Sequence, residues 1–248
     1  MPADEIPEPS MTAADAGHKP PAGVAVVFGA TGGIGRALHE AISASHRYRH
    51  VVGLGRGTTP AFDLLDEGSI AACVEFAARL GELRLVIDAT GFLHDGQQGP
   101  EKSWRQLDAA HLARSFAINA TGPALIMKHV LPALPRTGRA VFATLSARVG
   151  SIGDNRIGGW YSYRASKAAL NQLVHTAAIE LARRSPDALC IALHPGTVST
   201  ALSAPFAATG LEVHQPAAAA RNLLGVIEQL TAASSGGFFD WRGDAVPW

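Results

Sequence analysis

From residue 23 onward the chain alternates between short, unbroken apolar runs and longer segments whose apolar positions recur three and four residues apart. The runs "GVAVVFGA" (23–30), "HVVGLGR" (50–56), "LRLVIDATG" (83–91), "GRAVFATLSA" (138–147) and "ALCIALHPG" (188–196) are too short for buried helices and read as strands. Between them lie helical segments at 33–45, 68–81, 163–184 and 216–230. A further one at 103–134 reads as one long helix bent near Gly122-Pro123, and "GGFFDWRG" (236–243) holds a last short strand. Strands that are apolar at every position, rather than at every second one, are covered on both faces. The pattern therefore predicts an α/β fold: one doubly wound parallel sheet with helices on both sides and right-handed crossovers.

No composition break divides the chain after residue 23, so residues 23–248 read as one domain. Residues 1–22, acidic at first and rich in Pro and Ala, read as a disordered tail without the pattern of a secretory signal. Lys plus Arg and Asp plus Glu both number 21, so the formal net charge is zero. That balance argues against nucleic acid or an acidic membrane as partner, and no apolar run is long enough to span a bilayer. Cys73 and Cys190 have neither metal-ligand spacing nor a disulfide framework and read as buried free thiols, which fits a cytoplasmic setting. His39, His46 and His50 fit a solvated helix end, and no metal is expected.

Candidate chemistry begins after the first strand. "FGATGGIGRAL" spaces Gly29, Gly33 and Gly35 as G-x-x-x-G-x-G, with Gly32 extra, and opens a helix. Such a turn lets backbone approach a pyrophosphate at the helix N-terminus. An NAD-type site usually carries Asp or Glu at the end of the second strand; here Gly55 is followed by Arg56. A guanidinium suits a 2′-phosphate, so NADP(H) is preferred, with NAD(H) the alternative. Asp63 in "AFDLLD", after a third short strand, either meets the adenine amino group or caps a helix.

Tyr163 and Lys167 stand four apart, one turn of helix, and share a face. A neighbouring ammonium favours the phenolate and lowers the tyrosine pKa. Tyr163 can then exchange a proton with a carbonyl or alcohol, and Lys167 has donors to spare for a ribose. Ser146, at a strand end, can hydrogen-bond a substrate carbonyl. Asn119 is set within the long helix near its bend, and Pro195-Gly196 closes a later strand.

Together, Gly29/Gly33/Gly35, Asn119, Ser146, Tyr163 with Lys167, and "HPGTVST" (194–200) strongly resemble the short-chain dehydrogenase/reductase family, classical type, in family order across residues 24–200. "SARVGSIGDNRIGGWYSYRASKAALN" and the tail "SGGFFDWRGDAVPW" look like its C-factor branch, similar to sniffer-type carbonyl reductases. The resemblance implies a Rossmann-type domain and a catalytic Asn119–Ser146–Tyr163–Lys167 set. In that set Tyr163 is the acid or base, Lys167 holds ribose and lowers the tyrosine pKa, Ser146 orients the carbonyl, and Asn119 anchors a water. It also implies cofactor contacts from Gly29, Thr31, Gly32, Gly33, Ile34, Gly35, Arg56, Asp63, Leu64, Ala89, Thr90, Gly91, Asn119, Tyr163, Lys167, Pro195, Gly196, Val198 and Thr200, with Thr197 on the nicotinamide side.

Two positions depart from the family pattern. Asp88-Ala89-Thr90-Gly91 replaces Asn-Asn-Ala-Gly, so an acceptor-only side chain stands where an asparagine ties the central strands. Ser146 is followed by Ala147 where a second, catalytic serine is usual, which makes Ser151 the reserve. Trp160 and Trp104 are candidate pocket walls, and "GDNRIGG" (153–159) reads as a mobile loop over the site. The reading is an NADP(H)-dependent carbonyl reductase, or alcohol dehydrogenase in reverse, on a small-molecule substrate. The alternative is a signalling or redox-sensing protein of the same fold with little turnover. Apolar stripes on the long helices, such as Ala168, Leu170, Val174, Ala178 and Leu181, together with family habit, point to a homodimer or homotetramer.

Overall fold

The computed structural model describes residues 23–95, 99–203 and 212–248; the predicted tail lies outside them. Six parallel strands form the sheet: β1 (Val24–Phe28), β2 (His50–Leu54), β3 (Leu83–Asp88), β4 (Ala140–Leu145), β5 (Ala188–His194) and, last in the chain, β8 (Phe238–Asp240). Their order is β2-β1-β3-β4-β5-β8. Two further strands, β6 (Thr197–Val198) and β7 (Val213–His214), pair with each other as a small parallel flap.

Every second side chain of a strand enters one core, and the rest enter the other. Val24, Val26, Phe28, Phe142 and Cys190 face α2 (Glu67–Arg79), α4 (Gly122–Ala133) and α5 (Tyr161–Arg184). Ala25, Val27, Val141, Leu189 and Ile191 face α1 (Gly33–Ala44) and α6 (Pro216–Gln229). Both alternating sets are buried, which is why the strands are apolar without a gap. The stripe Leu170, Val174, Ala178 and Leu181 is packed into the first core. These residues cover the sheet and are not free to pair two copies of the chain.

The long helix of the sequence reading is three pieces: a 3₁₀ turn at Trp104–Gln106, α3 (Ala109–Phe116), and α4 joined to α3 through one π-helical turn, Ala117–Thr121. The irregularity falls immediately before Gly122-Pro123, where proline removes a backbone donor. No strand lies between β2 and α2, where Asp63 falls. The apolar run there serves packing instead, with Phe62 meeting Phe28 edge-on at 5.0 Å. Because β2 and β3 flank β1 on opposite sides, the order in which strands are added reverses beside β1. The carboxyl ends of the strands open a crevice there, the place where ligands bind in such sheets.

Candidate active site

The glycine loop leaves β1 at this crevice. Gly29 is in the left-handed region (φ +76°), and a Cβ on Gly35 would lie 2.1 Å from the carbonyl oxygen of Gly29. Only glycine allows the first turn of α1 to fold so closely onto the loop. Thr31 and Gly32 are exposed, Ile34 is half-buried, and Gly33 begins α1 with Thr200 packed directly against it. The loop thus presents backbone at a helix N-terminus, an arrangement that fits a pyrophosphate. Gly55 lies against Thr31, and Arg56 projects into solvent just beyond. Asp63 is exposed, and its carboxylate accepts the backbone N–H of Leu65 at 3.0 Å. The α2 cap is Asp66, which accepts from Gly68 at 2.9 Å, so the capping alternative for Asp63 falls. Leu64 packs against Gly122 at the start of α4.

The end of β3 brings in the next group. Ala89 donates to Phe28 at 3.0 Å, holding the strand ends together beside the glycine loop. Asp88 is fully buried. Its Oδ1 accepts from Thr90 N (3.0 Å) and Thr90 Oγ1 (2.6 Å), and its Oδ2 accepts from Thr144 Oγ1 of β4 (2.7 Å). A carboxylate therefore ties β3 to β4 where the family pattern uses an asparagine. Burial raises the Asp88 pKa, while the threonine hydrogen bonds and Lys167 act against that rise.

Asn119 lies in the π turn with no exposure. Its Oδ1 accepts from Phe92 N at 2.8 Å, and its Nδ2 donates to Phe92 O (2.8 Å) and to Ser166 Oγ of α5 (3.1 Å). It thereby joins the loop after β3, the bent helix and α5. Gly91 sits alongside: a Cβ there would be 3.9 Å from both Asn119 Oδ1 and Lys167 Nζ. Lys167 is buried and donates to Leu145 O, at the end of β4, at 2.7 Å. Its ammonium stands 6.0 Å from the centre of the Tyr163 ring. Burial lowers the Lys167 pKa to about 8 against the raising influence of Asp88. Burial pushes the Tyr163 phenol up to about 12, opposite to the lowering expected from its lysine neighbour. Without bound ligand, the phenol is a proton donor over the whole neutral range.

Ser146 is buried and donates to Asn171 Oδ1 at 2.6 Å, eight residues beyond Tyr163 on α5. Ser151 is equally buried and accepts the Asp154 backbone N–H at 3.1 Å. The segment 148–160 is tied near both ends, while Ile152 and Ile157 between them are exposed. Arg164 donates to Val149 O (3.1 Å), Gly159 O (3.0 Å) and Gly158 O (3.3 Å), and Arg148 pairs with Asp154 at 2.6 Å. Gly158, Gly159 and Trp160 all have positive φ, +55° at Trp160, an unfavourable conformation for a bulky residue. The Trp160 ring meets Tyr163 edge-on at 6.2 Å, whereas Trp104 is largely exposed on its 3₁₀ turn.

One residue that the sequence reading missed supports this turn. Glu101 is 2 % exposed, and its carboxylate accepts both the N–H (3.1 Å) and the hydroxyl of Ser162. Its backbone oxygen accepts from Trp160 N. Glu101 thus closes the N-terminus of α5 one residue before Tyr163, where negative charge is favoured by the helix dipole.

On the far side, Pro195-Gly196 leads into β6, and Thr200 N is held by Ser203 Oγ at 3.2 Å. Val198 is buried in the flap, paired with His214. Residues 204–211, between the two flap strands, lie outside the described residues. Cys73 and Cys190 are free buried thiols, and burial raises both pKa values, Cys190 to about 12, so neither is a reactive thiolate. Among the described residues no three His, Cys, Asp or Glu side chains converge as a metal site, and no helix is long and apolar enough to cross a membrane.

Comparisons with known proteins agree with this geometry. A family model described as enoyl-(acyl carrier protein) reductase matches residues 33–233. C-signal of Myxococcus xanthus is 39 % identical over 143 residues, 57 % of this chain and 81 % of that protein. The 1-hydroxy-2-glutathionyl-2-methyl-3-butene dehydrogenase of Rhodococcus sp. (strain AD45) is 33 % identical over 189 residues, covering 76 % of this chain and 79 % of its own. Among solved structures, an NADPH-bound carbonyl reductase from chicken fatty liver superposes with a TM-score of 0.78 at 23 % identity, covering 91 % of this chain and 98 % of that one. The chain is an oxidoreductase of the classical short-chain dehydrogenase/reductase family.

Proposed function

We propose that the protein reduces a small carbonyl compound to an alcohol, or runs the reverse reaction, with NADP(H) as cofactor and Tyr163 as the proton donor and acceptor. The observation that carries this reading is the half-buried phenol of Tyr163 beside the buried ammonium of Lys167, at the crevice where the glycine loop ends. Bound NADPH supplies the hydride. The chain's own residues hold the pyrophosphate on the backbone from Gly29 to Gly35, meet the 2′-phosphate with Arg56, and leave Lys167 two donors for the ribose. The chicken enzyme's bound NADPH supports the choice of cofactor. Asp63 and Leu64 flank the adenine in this reading. Ala89, Thr90, Gly91, Pro195, Gly196, Val198 and Thr200 border the ribose and nicotinamide.

At the carbonyl, a protonated Tyr163 donates as negative charge develops on oxygen. Ser146 orients the same oxygen by turning its hydroxyl away from Asn171; Ser151 is the alternative hydroxyl. Trp160 forms one wall of the pocket. A homodimer or homotetramer in the cytoplasm belongs to the same proposal.

The test is oxidation of NADPH by the wild type and a Tyr163→Phe variant against aldehydes, ketones, diketones and quinones. Turnover that drops at least about 100-fold in the variant, with NADPH binding unchanged, supports the reading. NADPH binding with no turnover in either protein favours the sensing alternative.

A further inference from the structure

The buried carboxylate of Asp88 has no place in the proposed reaction, yet it is bonded to the strand that also holds Lys167. Asp88 and Thr144 are partners in the β3–β4 register. Thr144 donates to Asp88, and the next residue of β4, Leu145, accepts from Lys167. Two neighbouring residues of one strand thus grip both an acid and a base that are 0 % and 2 % exposed. All three hydrogen bonds to Asp88 run toward its oxygens, one from a backbone N–H that can only donate. Such a donor set favours the ionised carboxylate. On the opposite side, burial alone would drive a proton off Lys167, and a neutral amine would give up the positive charge beside Tyr163.

We propose that Asp88 is the counter-ion of Lys167, a positioning residue that keeps the ammonium charged next to Tyr163, in place of the neutral asparagine of the family pattern. The charged groups facing the pair are few. Among the described residues Asp88 and Lys167 form no direct ion pair; each acts on the other's charge across the Thr144–Leu145 segment that holds both. Tyr163, from the same helix as Lys167, is the third titratable group. Thr90 and Thr144 are neutral donors. The inference rests on the reading of Tyr163 and Lys167 as the proton-handling pair for its consequence in catalysis. Its physical core, one carboxylate charging one lysine, can be measured without turnover.

The chain has four lysines, at 19, 102, 128 and 167, so the side-chain nitrogens can be followed individually by NMR of selectively labelled full-length protein. Asp88→Asn keeps an acceptor for the threonines and removes the charge. The expected result is a Lys167 titration midpoint about one pH unit or more lower than in the wild type, with Lys102 and Lys128 unmoved. The alkaline limb of kcat/KM for carbonyl reduction should fall to lower pH by a similar amount. Thr144→Val is the counter-test. It removes one of three hydrogen bonds and keeps the carboxylate with the two from Thr90, so it should lower the melting temperature while the Lys167 midpoint falls much less than in Asp88→Asn.

A midpoint that does not move in Asp88→Asn, or that falls equally in Thr144→Val, overturns the proposal. Should Asp88→Asn fail to fold, the wild type decides: Lys167 must read as an ammonium at pH 7, and a neutral amine there is the refuting result. Loss of turnover in Tyr163→Phe bears on the reductase reading, whereas the NMR midpoint bears on the counter-ion alone, so the two can fail separately.

Discussion

Between β1 and β2 the site is made of backbone and open side chains: Thr31, Gly32 and Arg56 are exposed, and no buried charge is present. Between β3 and α5 the reverse holds. Asp88, Glu101, Asn119, Ser146, Ser162, Ser166, Lys167 and Asn171 are all buried, and most are fixed by hydrogen bonds that cross from one element to another. One half can meet a ligand with preformed N–H groups and a mobile cation. The other must hold a phenol and an ammonium in fixed relation away from water, where each polar group needs a partner. Steric changes should therefore damage the first half most, and lost polar partners the second.

The largest effect is expected at the narrowest point of the loop. Gly35→Ala places a Cβ 2.1 Å from a backbone oxygen that cannot move without opening the β1–α1 turn. We expect a loss of about 3 kcal/mol or more in stability and no measurable NADPH binding by fluorescence titration. Near-native binding in this variant would mean that the loop is not the cradle described.

Glu101→Ala probes the other half. It leaves the Ser162 N–H and hydroxyl without their buried acceptor, at a cost of about 2–3 kcal/mol. Denaturant unfolding reads that loss. If Glu101 positions Tyr163, kcat should fall further than KM rises; equal changes would reduce Glu101 to a stabilising cap.

How much of this was legible in sequence follows the same division. The glycine loop and the Tyr163–Lys167 pair are local: their spacing alone sets them on a turn and on one helical face, and the structure holds them there. The bend at Gly122-Pro123 was visible because proline removes a donor, but the π turn that buries Asn119 depends on its bonds to Phe92, 27 residues away. Glu101 carried no signal, because its partner is 61 residues away and Pro-Glu-Lys looks like surface loop. Asp88 was seen as a departure from the family pattern. Its partner Thr144 lies on another strand, and only the register brings the two together. The "AFDLLD" run misled because burial of Phe62 and Leu64 against Phe28 and Gly122 mimics a strand's apolar signal.

His194 offers a smaller, pH-dependent measure of the buried half. It ends β5, its Nδ1 has no hydrogen-bond partner, and burial lowers its pKa to about 4 despite nearby Asp240; Arg148 adds to the lowering. The folded-state value lies below the unfolded value of 6.5, so the unfolded chain takes up the proton first. Stability should therefore decline as pH falls from about 6.5 toward 4, by on the order of 1–2 kcal/mol from this group. Urea unfolding from pH 7 to 4.5 should show a shallower decline in His194→Asn. Identical slopes would place the acid sensitivity elsewhere, with Glu67 and Asp154, whose carboxyl pKa values are lowered by bonds to Lys128 and Arg148, the next groups to vary.

The mildest change is expected at Arg56, because it is exposed and bonds nothing that holds the fold. Arg56→Ala should leave the melting temperature within a degree or two, since surface substitutions of this kind stay near ±0.5 kcal/mol. Its effect belongs to the ligand. A guanidinium on a 2′-phosphate forms charge-assisted bonds that NADH cannot make. The KM for NADPH should rise about tenfold, equivalent to ~1.4 kcal/mol, while that for NADH changes little. The difference should shrink as salt is raised, because an exposed ion pair is screened. A parallel rise for both cofactors would assign Arg56 to the shape of the loop instead of to the phosphate. No change for either would leave the exposed half of the site without a side chain that selects its cofactor, making recognition there a property of backbone alone.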